Sequence, residues 1–200
     1  QPYVRSYTPA DVSNSAVPAS SIVTYRFNPS KINDSKVKFT WMDGGLRPSQ
    51  PEEIKDDIGV GGILIYGEKG IISTNINDSS PLTPKLYLND GTTEFGPEVE
   101  NFTEPEYGHQ RMWVDACKAG FNSKEHLELT SSFDYAGPMT ETVLMGNIAI
   151  RSYLLRRGEG RNMEYYARKK LLWNGEKMEI TNVKEANQFV TRKVREGWEI

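Results

Sequence analysis

The residues best equipped for chemistry in this 200-residue sequence lie in Trp41-Met42-Asp43-Gly44-Gly45-Leu46-Arg47-Pro48. An aromatic ring, a carboxylate, two glycines and a guanidinium follow one another where an apolar alternation ends. Loops at strand ends carry binding sites, and a ring beside a carboxylate and an arginine can grip a sugar by stacking and by paired hydrogen bonds. An ordinary strand end explains the same residues, with Trp41 in a core and Gly44-Gly45 turning the chain. Periodicity favours neither reading. His109 is the next candidate. It opens a helical pattern in which Met112, Trp113, Ala116 and Cys117 recur on one side. It reads as a helix-start histidine beside a core or as a cleft-facing histidine that touches a polyol, and the spacing favours the first.

Other chemistries find less support. Gly59-Val60-Gly61-Gly62 lacks the G-x-G-x-x-G spacing and no helix follows it. A flexible loop leading into a strand is a better reading than a dinucleotide cradle. Metal sites need several ligands at fixed spacing, and the chain offers only His109, His126 and Cys117 beyond its carboxylates. His109 and Cys117 are two helical turns apart with no evident third ligand, so Cys117 is expected in the core. No G-x-S-x-G occurs to mark a hydrolytic nucleophile. His126 lies in a polar loop and reads as solvated. Asp134 suits a helix cap, and Thr140 and Glu141 suit a first turn. Asn147 falls within an apolar stripe and calls for a buried partner, such as one across a subunit interface.

These residues need elements to hold them. Val23, Tyr25 and Phe27 alternate with Ile22, Thr24 and Arg26, and Val37, Phe39 and Trp41 alternate with Lys36, Lys38 and Thr40. Period two with one apolar face predicts a sheet that is wet on one side. Asn28-Pro29 and Asn33-Asp34-Ser35 between the two runs predict an antiparallel hairpin. Tyr3 to Tyr7 reads as an earlier strand and residues 43 to 60 as a loop. Ile63 to Tyr66 and Ile71 to Ser73 flank Gly67-Glu68-Lys69-Gly70, a second hairpin. Residues 75 to 104 are turn-rich, with a short strand over Lys85 to Leu88. Helices are expected over Tyr107 to Lys118, stopped by Gly120, and over Pro138 to Leu155, with Pro138 in the first turn. Met139, Val143, Ile150 and Leu154 form the stripe of the second, widened by Leu144, Ile148 and Leu155. After a polar break at 158 to 162, short strands fit Lys170 to Trp173 and Glu179 to Thr181. Asn182-Val183-Lys184-Glu185 reads as a capping box that opens a helix ending at Gly197. Strands come first and helices follow, which predicts an α+β fold with helices on one side of a mainly antiparallel sheet.

Bulk properties narrow the partners. Lys+Arg number 24 against Asp+Glu 27, a net −3 with no basic stripe, so nucleic acid is not expected. No apolar run approaches the ~20 residues that span a bilayer. One cysteine excludes an internal disulfide and leaves the compartment open. The chain opens on Gln1-Pro2, so any leader would lie outside it. Hydrophobic residues make up 37%, low for a compact domain of this length. Long solvated loops, a chain cut from a larger protein, or both are expected.

Five segments in order resemble the C-terminal domain of Gfo/Idh/MocA oxidoreductases. They are residues 41 to 48, Gly61 to Gly70, His109 to Lys118, Phe133 to Leu144, and the closing stretch Trp173 to Ile200 with Ile180-Thr181-Asn182 and Glu196-Gly197-Trp198-Glu199-Ile200. The resemblance covers the chain from about residue 20 to its end. It implies one domain over residues 1–200, truncated on its N-terminal side. It also implies an open-faced, mainly antiparallel sheet with helices on one side, as in the C-terminal domains of dihydrodipicolinate reductase and glyceraldehyde-3-phosphate dehydrogenase. In the family this domain closes a sugar or polyol site and builds a homo-oligomer through the sheet face. A separate Rossmann domain binds NAD or NADP. The Rossmann glycines and the Glu-Lys-Pro segment of the usual catalytic lysine are absent here. The resemblance therefore implies a fragment that binds no cofactor and is inactive alone, with no catalytic residue and Trp41, Asp43, Arg47 and His109 lining the substrate cleft. Two other functions fit the same segments: a stand-alone carbohydrate-binding or scaffold domain, and part of an NAD-dependent glycoside hydrolase. Relatives often carry export leaders, so bacterial periplasm and cytoplasm both stay open.

Overall fold

The structure is a computed structural model that describes residues 3–5, 18–31, 33–75, 84–96, 108–191 and 194–198. Its elements run β1 (Tyr3–Arg5), β2 (Ser20–Phe27), β3 (Val37–Met42), β4 (Gly62–Tyr66), β5 (Gly70–Asn75), β6 (Lys85–Leu88), β7 (Thr93–Phe95), α1 (Gly108–Ala119), α2 (Lys124–Leu127), α3 (Phe133–Ser152), β8 (Trp173–Asn174) and β9 (Glu179–Ile180). The fold is α+β with open antiparallel sheets, as the element order predicts. Among the described residues the strands form three sheets, in the orders β1-β2-β3, β4-β5-β6-β7 and β8-β9. No helix among the described residues is long and apolar enough to cross a membrane. The chain divides into two compact units, Gln1–Leu46 with Ala116–Ile200, and Arg47–Asp115. The dividing line falls inside α1.

In the first unit the expected hairpin forms, and its register sets the aromatic face. Val23 opposes Trp41, Tyr25 opposes Phe39 and Phe27 opposes Val37. Directly opposed residues share a face. The Tyr25 ring accordingly stacks on Phe39 at 5.4 Å between centroids and lies 6.2 Å from Phe27. Val23 is buried, while Phe39 and Trp41 are 41% and 55% exposed. The face is thus covered along β2 and open along β3.

The cover on β2 is α3, and a glycine seats it. A β-carbon on Gly146 would collide with the Tyr25 hydroxyl and sit 3.7 Å from the Val23 methyl. The buried residues of α3 are Gly146, Ile148 and Ser152. This corrects the expected stripe: Met139, Val143 and Leu144 are exposed, and so is Asn147. Small residues let the helix approach closely, so shape and not apolar spacing selects the inner side. The helix also starts five residues earlier than predicted, at Phe133, with Ser132 as N-cap. Asp134 is therefore in the first turn and not the cap, and Pro138 is inside the helix, where its missing N–H leaves the Asp134 carbonyl without its usual helical donor.

The end of α3 carries the main core. Ile148, Ala167, Ile180, Val183 and Ala186 are buried together, with Leu155, Tyr166, Leu171, Trp173, Phe189 and Val190 packed around them. Burying each large aliphatic side chain contributes about 1.5–3 kcal/mol. The predicted strands near 173 and 180 pair antiparallel, Trp173 with Ile180. The expected helix over 182–197 is instead a six-residue 3-10 helix, Lys184–Phe189, with Val183 at its N-cap and no side-chain cap bond. Asn182 does other work: its Oδ1 accepts from the Leu172 amide at 2.8 Å and its Nδ2 donates to the Lys170 carbonyl at 2.8 Å. Asn187 pairs with Ile180 in the same way, accepting from its N–H at 2.6 Å and donating to its C=O at 3.0 Å.

In the second unit the Gly67–Gly70 hairpin forms as predicted, with β6 and the unpredicted β7 added as a meander. Ile54, Ile71 and Tyr87 are buried together under Ile58 and Leu64. Gln50 fastens the 47–61 loop by donating to the carbonyls of Ile54 at 2.8 Å and Asp56 at 2.7 Å. Ile65 opposes Ile72, and these two with Ile63 lie exposed on the outer face. Residues 76–83 and 97–107, which bear on the expected irregular stretch and the start of α1, lie outside the described residues.

Candidate functional site

Two of the four residues expected to line a cleft are joined. Asp43 follows β3 and faces the start of β2. Its Oδ1 accepts from the Ser21 amide at 2.6 Å, and the Ser21 hydroxyl donates at 3.1 Å to Oδ1 and 3.0 Å to Oδ2. The Trp41 indole N–H donates to Asp43 Oδ2 at 3.2 Å. The backbone closes behind the carboxylate, where the Asp43 amide donates to the Ser21 carbonyl at 3.1 Å. Gly44 has φ +63°, and a β-carbon there would strike the Ala19 carbonyl and Ser20. The segment is thus built as a clasp between two strand ends. One carboxylate serves three donors inside the protein, which leaves it little capacity for a ligand.

Arg47 and His109 belong to the second unit. Arg47 Nη1 donates to the Gly59 carbonyl at 2.9 Å and closes the 47–59 loop. His109 stands in the first turn of α1 and is exposed. Met112, Trp113 and Cys117 are exposed too, and Ala116 is the one buried residue of the helix. This overturns the core position expected for Cys117 and the buried side expected for His109: helical spacing marks which residues share a face and does not decide what covers it. Gly62 opens β4, so the Gly59–Gly62 loop offers no helix N-terminus to a pyrophosphate. Among the described residues no group of three or more His, Cys, Asp or Glu could hold a metal ion.

The sequence reading missed a cavity in the first unit. It measures about 240 Å³ and lies at the corner of α2 and α3, lined by His126, Leu127, Glu128, Leu129, Thr130, Ser132, Asp134 and Tyr135. Ser123 caps α2 by accepting from the His126 amide at 3.1 Å. The Asn122 amide donates to His126 Nδ1 at 3.3 Å, and the imidazole rests against Phe121 at 4.9 Å. With Nδ1 accepting, the neutral ring carries its proton on Nε2 as a donor. Leu129, one of the lining residues, is buried, and its amide and carbonyl tie to His126 and Ser132 through backbone bonds of 3.2 Å each. The sequence signal was present but split: His126 read as solvated and Asp134 as a cap, and nothing in the spacing joined them.

No protein-family model and no curated protein matches the chain.

Proposed function

We propose that this chain is the substrate-binding and oligomerisation part of an NAD(P)-dependent sugar or polyol oxidoreductase of Gfo/Idh/MocA type, with no turnover of its own. The ordered run of five sequence segments suggests the class. The observation that carries the assembly role is the outer face of the β4–β7 sheet, where Ile63, Ile65 and Ile72 stand open to solvent side by side. An apolar sheet face left uncovered marks an interaction surface. In this reading the nicotinamide supplies hydride transfer from a Rossmann domain that the chain does not contain, and these residues bind and orient the polyol. A second reading, a carbohydrate-binding domain with no enzyme attached, draws on the cavity at the corner of α2 and α3, where Glu128, Asp134 and Tyr135 stand among apolar walls.

Titration calorimetry with NAD+, NADH and NADP+ is expected to show no binding, and micromolar affinity for any of them overturns the proposal. Sedimentation is expected to show self-association. The coding sequence immediately upstream separates the two readings. A strand–turn–helix with G-x-G-x-x-G there supports the oxidoreductase, and an upstream frame without one leaves the binding domain.

A further inference from the structure

We infer that the α2–α3 corner cavity receives the Arg195–Trp198 turn of a second copy of this chain. The turn is built as an anchor. The Trp198 amide donates to the Arg195 carbonyl at 3.0 Å, and the Arg195 guanidinium stands over the indole, 5.0 Å from its centre. Trp198 is nevertheless 64% exposed, and Arg195 makes no ion pair among the described residues. Tryptophan and arginine are among the residue types that carry most of the energy of protein interfaces, and here the two stand open side by side. Trp198 does not line the cavity of its own chain.

The cavity complements that turn in size, polarity and charge. Leu127, Leu129 and the Tyr135 ring give it apolar walls. Leu127 is 71% exposed, and Phe133, between the lining residues Ser132 and Asp134 in the chain, is 93% exposed. Apolar surface at this corner is therefore left uncovered. A volume of about 240 Å³ falls below the ~300–1,000 Å³ of sites for whole small ligands and suits one inserted side chain. Charge selects which one. Glu128 and Asp134 line the cavity, and no Lys or Arg does. An indole fills the apolar part while its N–H donates to one carboxylate, and the guanidinium beside it meets the other. The Asp134 carboxylate has no partner among the described residues. Lys124 lies 3.8 Å from Glu128, but that pair is exposed at both ends and holds the carboxylate weakly. Arg192 and Lys193 precede the turn and add to its positive charge, against Glu196 and Glu199. Both halves of the contact lie on one sequence, which makes a second copy the partner. Reciprocal exchange uses each turn and each cavity once and closes a dimer. The contact is separate from the β4–β7 sheet face and holds whether or not the chain belongs to an oxidoreductase.

The test is an amide-resolved NMR titration between copies. An isotope-labelled Trp198→Ala chain, whose cavity is intact, is titrated with the unlabelled, unsubstituted chain. Saturable shifts at residues 126–135 of the labelled copy are expected. Unlabelled Trp198→Ala is expected to produce none there, and unlabelled Arg195→Glu to bind roughly tenfold more weakly. Circular dichroism checks that each variant keeps its helices. If Trp198→Ala unfolds, the labelled unsubstituted chain decides the matter, with shifts at 126–135 expected to grow with its own concentration. Absence of saturation at millimolar chain, equal shifts from the Trp198→Ala titrant, or shifts in the unsubstituted chain that do not depend on concentration overturn the inference, the last by placing the contact within one copy. Amides of Ile63, Ile65 and Ile72 report the sheet face in the same spectra, so failure here and failure of the assembly role proposed for that face are told apart.

Discussion

Asp43 and Ser21 hold each other across the ends of β3 and β2, with the carboxylate taking both the amide and the hydroxyl of a serine that is 1% exposed. A buried donor that loses its acceptor keeps its desolvation cost, so removing the carboxylate should be felt in stability first. Asp43→Ala is expected to cost about 2–3 kcal/mol, and Trp41→Phe, which removes only an exposed indole bond, under about 1 kcal/mol. Urea unfolding of the two variants measures both. A loss at Asp43→Ala inside the roughly 0.5 kcal/mol scatter of ordinary surface changes would return this carboxylate to the groups free to bind a ligand.

Gly146 predicts a second pair. An alanine there places its methyl on the Tyr25 hydroxyl, and overpacking of this kind costs about 1–3 kcal/mol. Phenylalanine at 25 removes the struck atom, although the ring carbon beneath it lies 3.3 Å from the new methyl. The double variant Gly146→Ala/Tyr25→Phe is therefore expected to recover most of the loss of Gly146→Ala. Strict additivity in a double-mutant cycle would show that the two positions do not touch.

Tyr25 also sets an alkaline limit. Burial raises its pKa above the ordinary 10.0, because the phenolate would be desolvated under α3. The folded chain then holds this proton more tightly than the unfolded chain does. Stability from this group is complete below the ordinary tyrosine pKa and declines as pH rises through and above about 10. Chemical denaturation midpoints between pH 8 and pH 11 should fall less for Tyr25→Phe than for the unsubstituted chain. Parallel curves would remove Tyr25 as the cause.

What the sequence made legible follows from which forces act locally. The β2–β3 and β4–β5 hairpins and β6 were readable because alternation and turn residues sit within a few positions of one another. The stripe of α3 misled for the opposite reason. Its inner side holds Gly146, where a side chain would strike Tyr25, and the small polar Ser152 beside Ile148, and hydrophobic periodicity cannot register a glycine or a serine. Pro138 suggested a first turn, and only the backbone shows the helix running through it. Asn182 resembled a cap because its partners at 170 and 172 are 10 to 12 residues away and invisible to a local pattern. The corner cavity escaped for the same reason as the α3 face. Its residues span two helices and the loop between them, so no single local pattern joins them.

Asn182 and Asn187 have one more consequence. Each side chain completes a backbone pairing that no neighbouring strand supplies, and each does so with one donor and one acceptor. Hydrolysis of either amide, with water taken up and ammonia released, would leave an aspartate, and the donor would become an oxygen pressed against the Lys170 or Ile180 carbonyl. Covalent ageing, with no change in the gene, would thus loosen the packing at the C-terminal end of α3 through two amide groups.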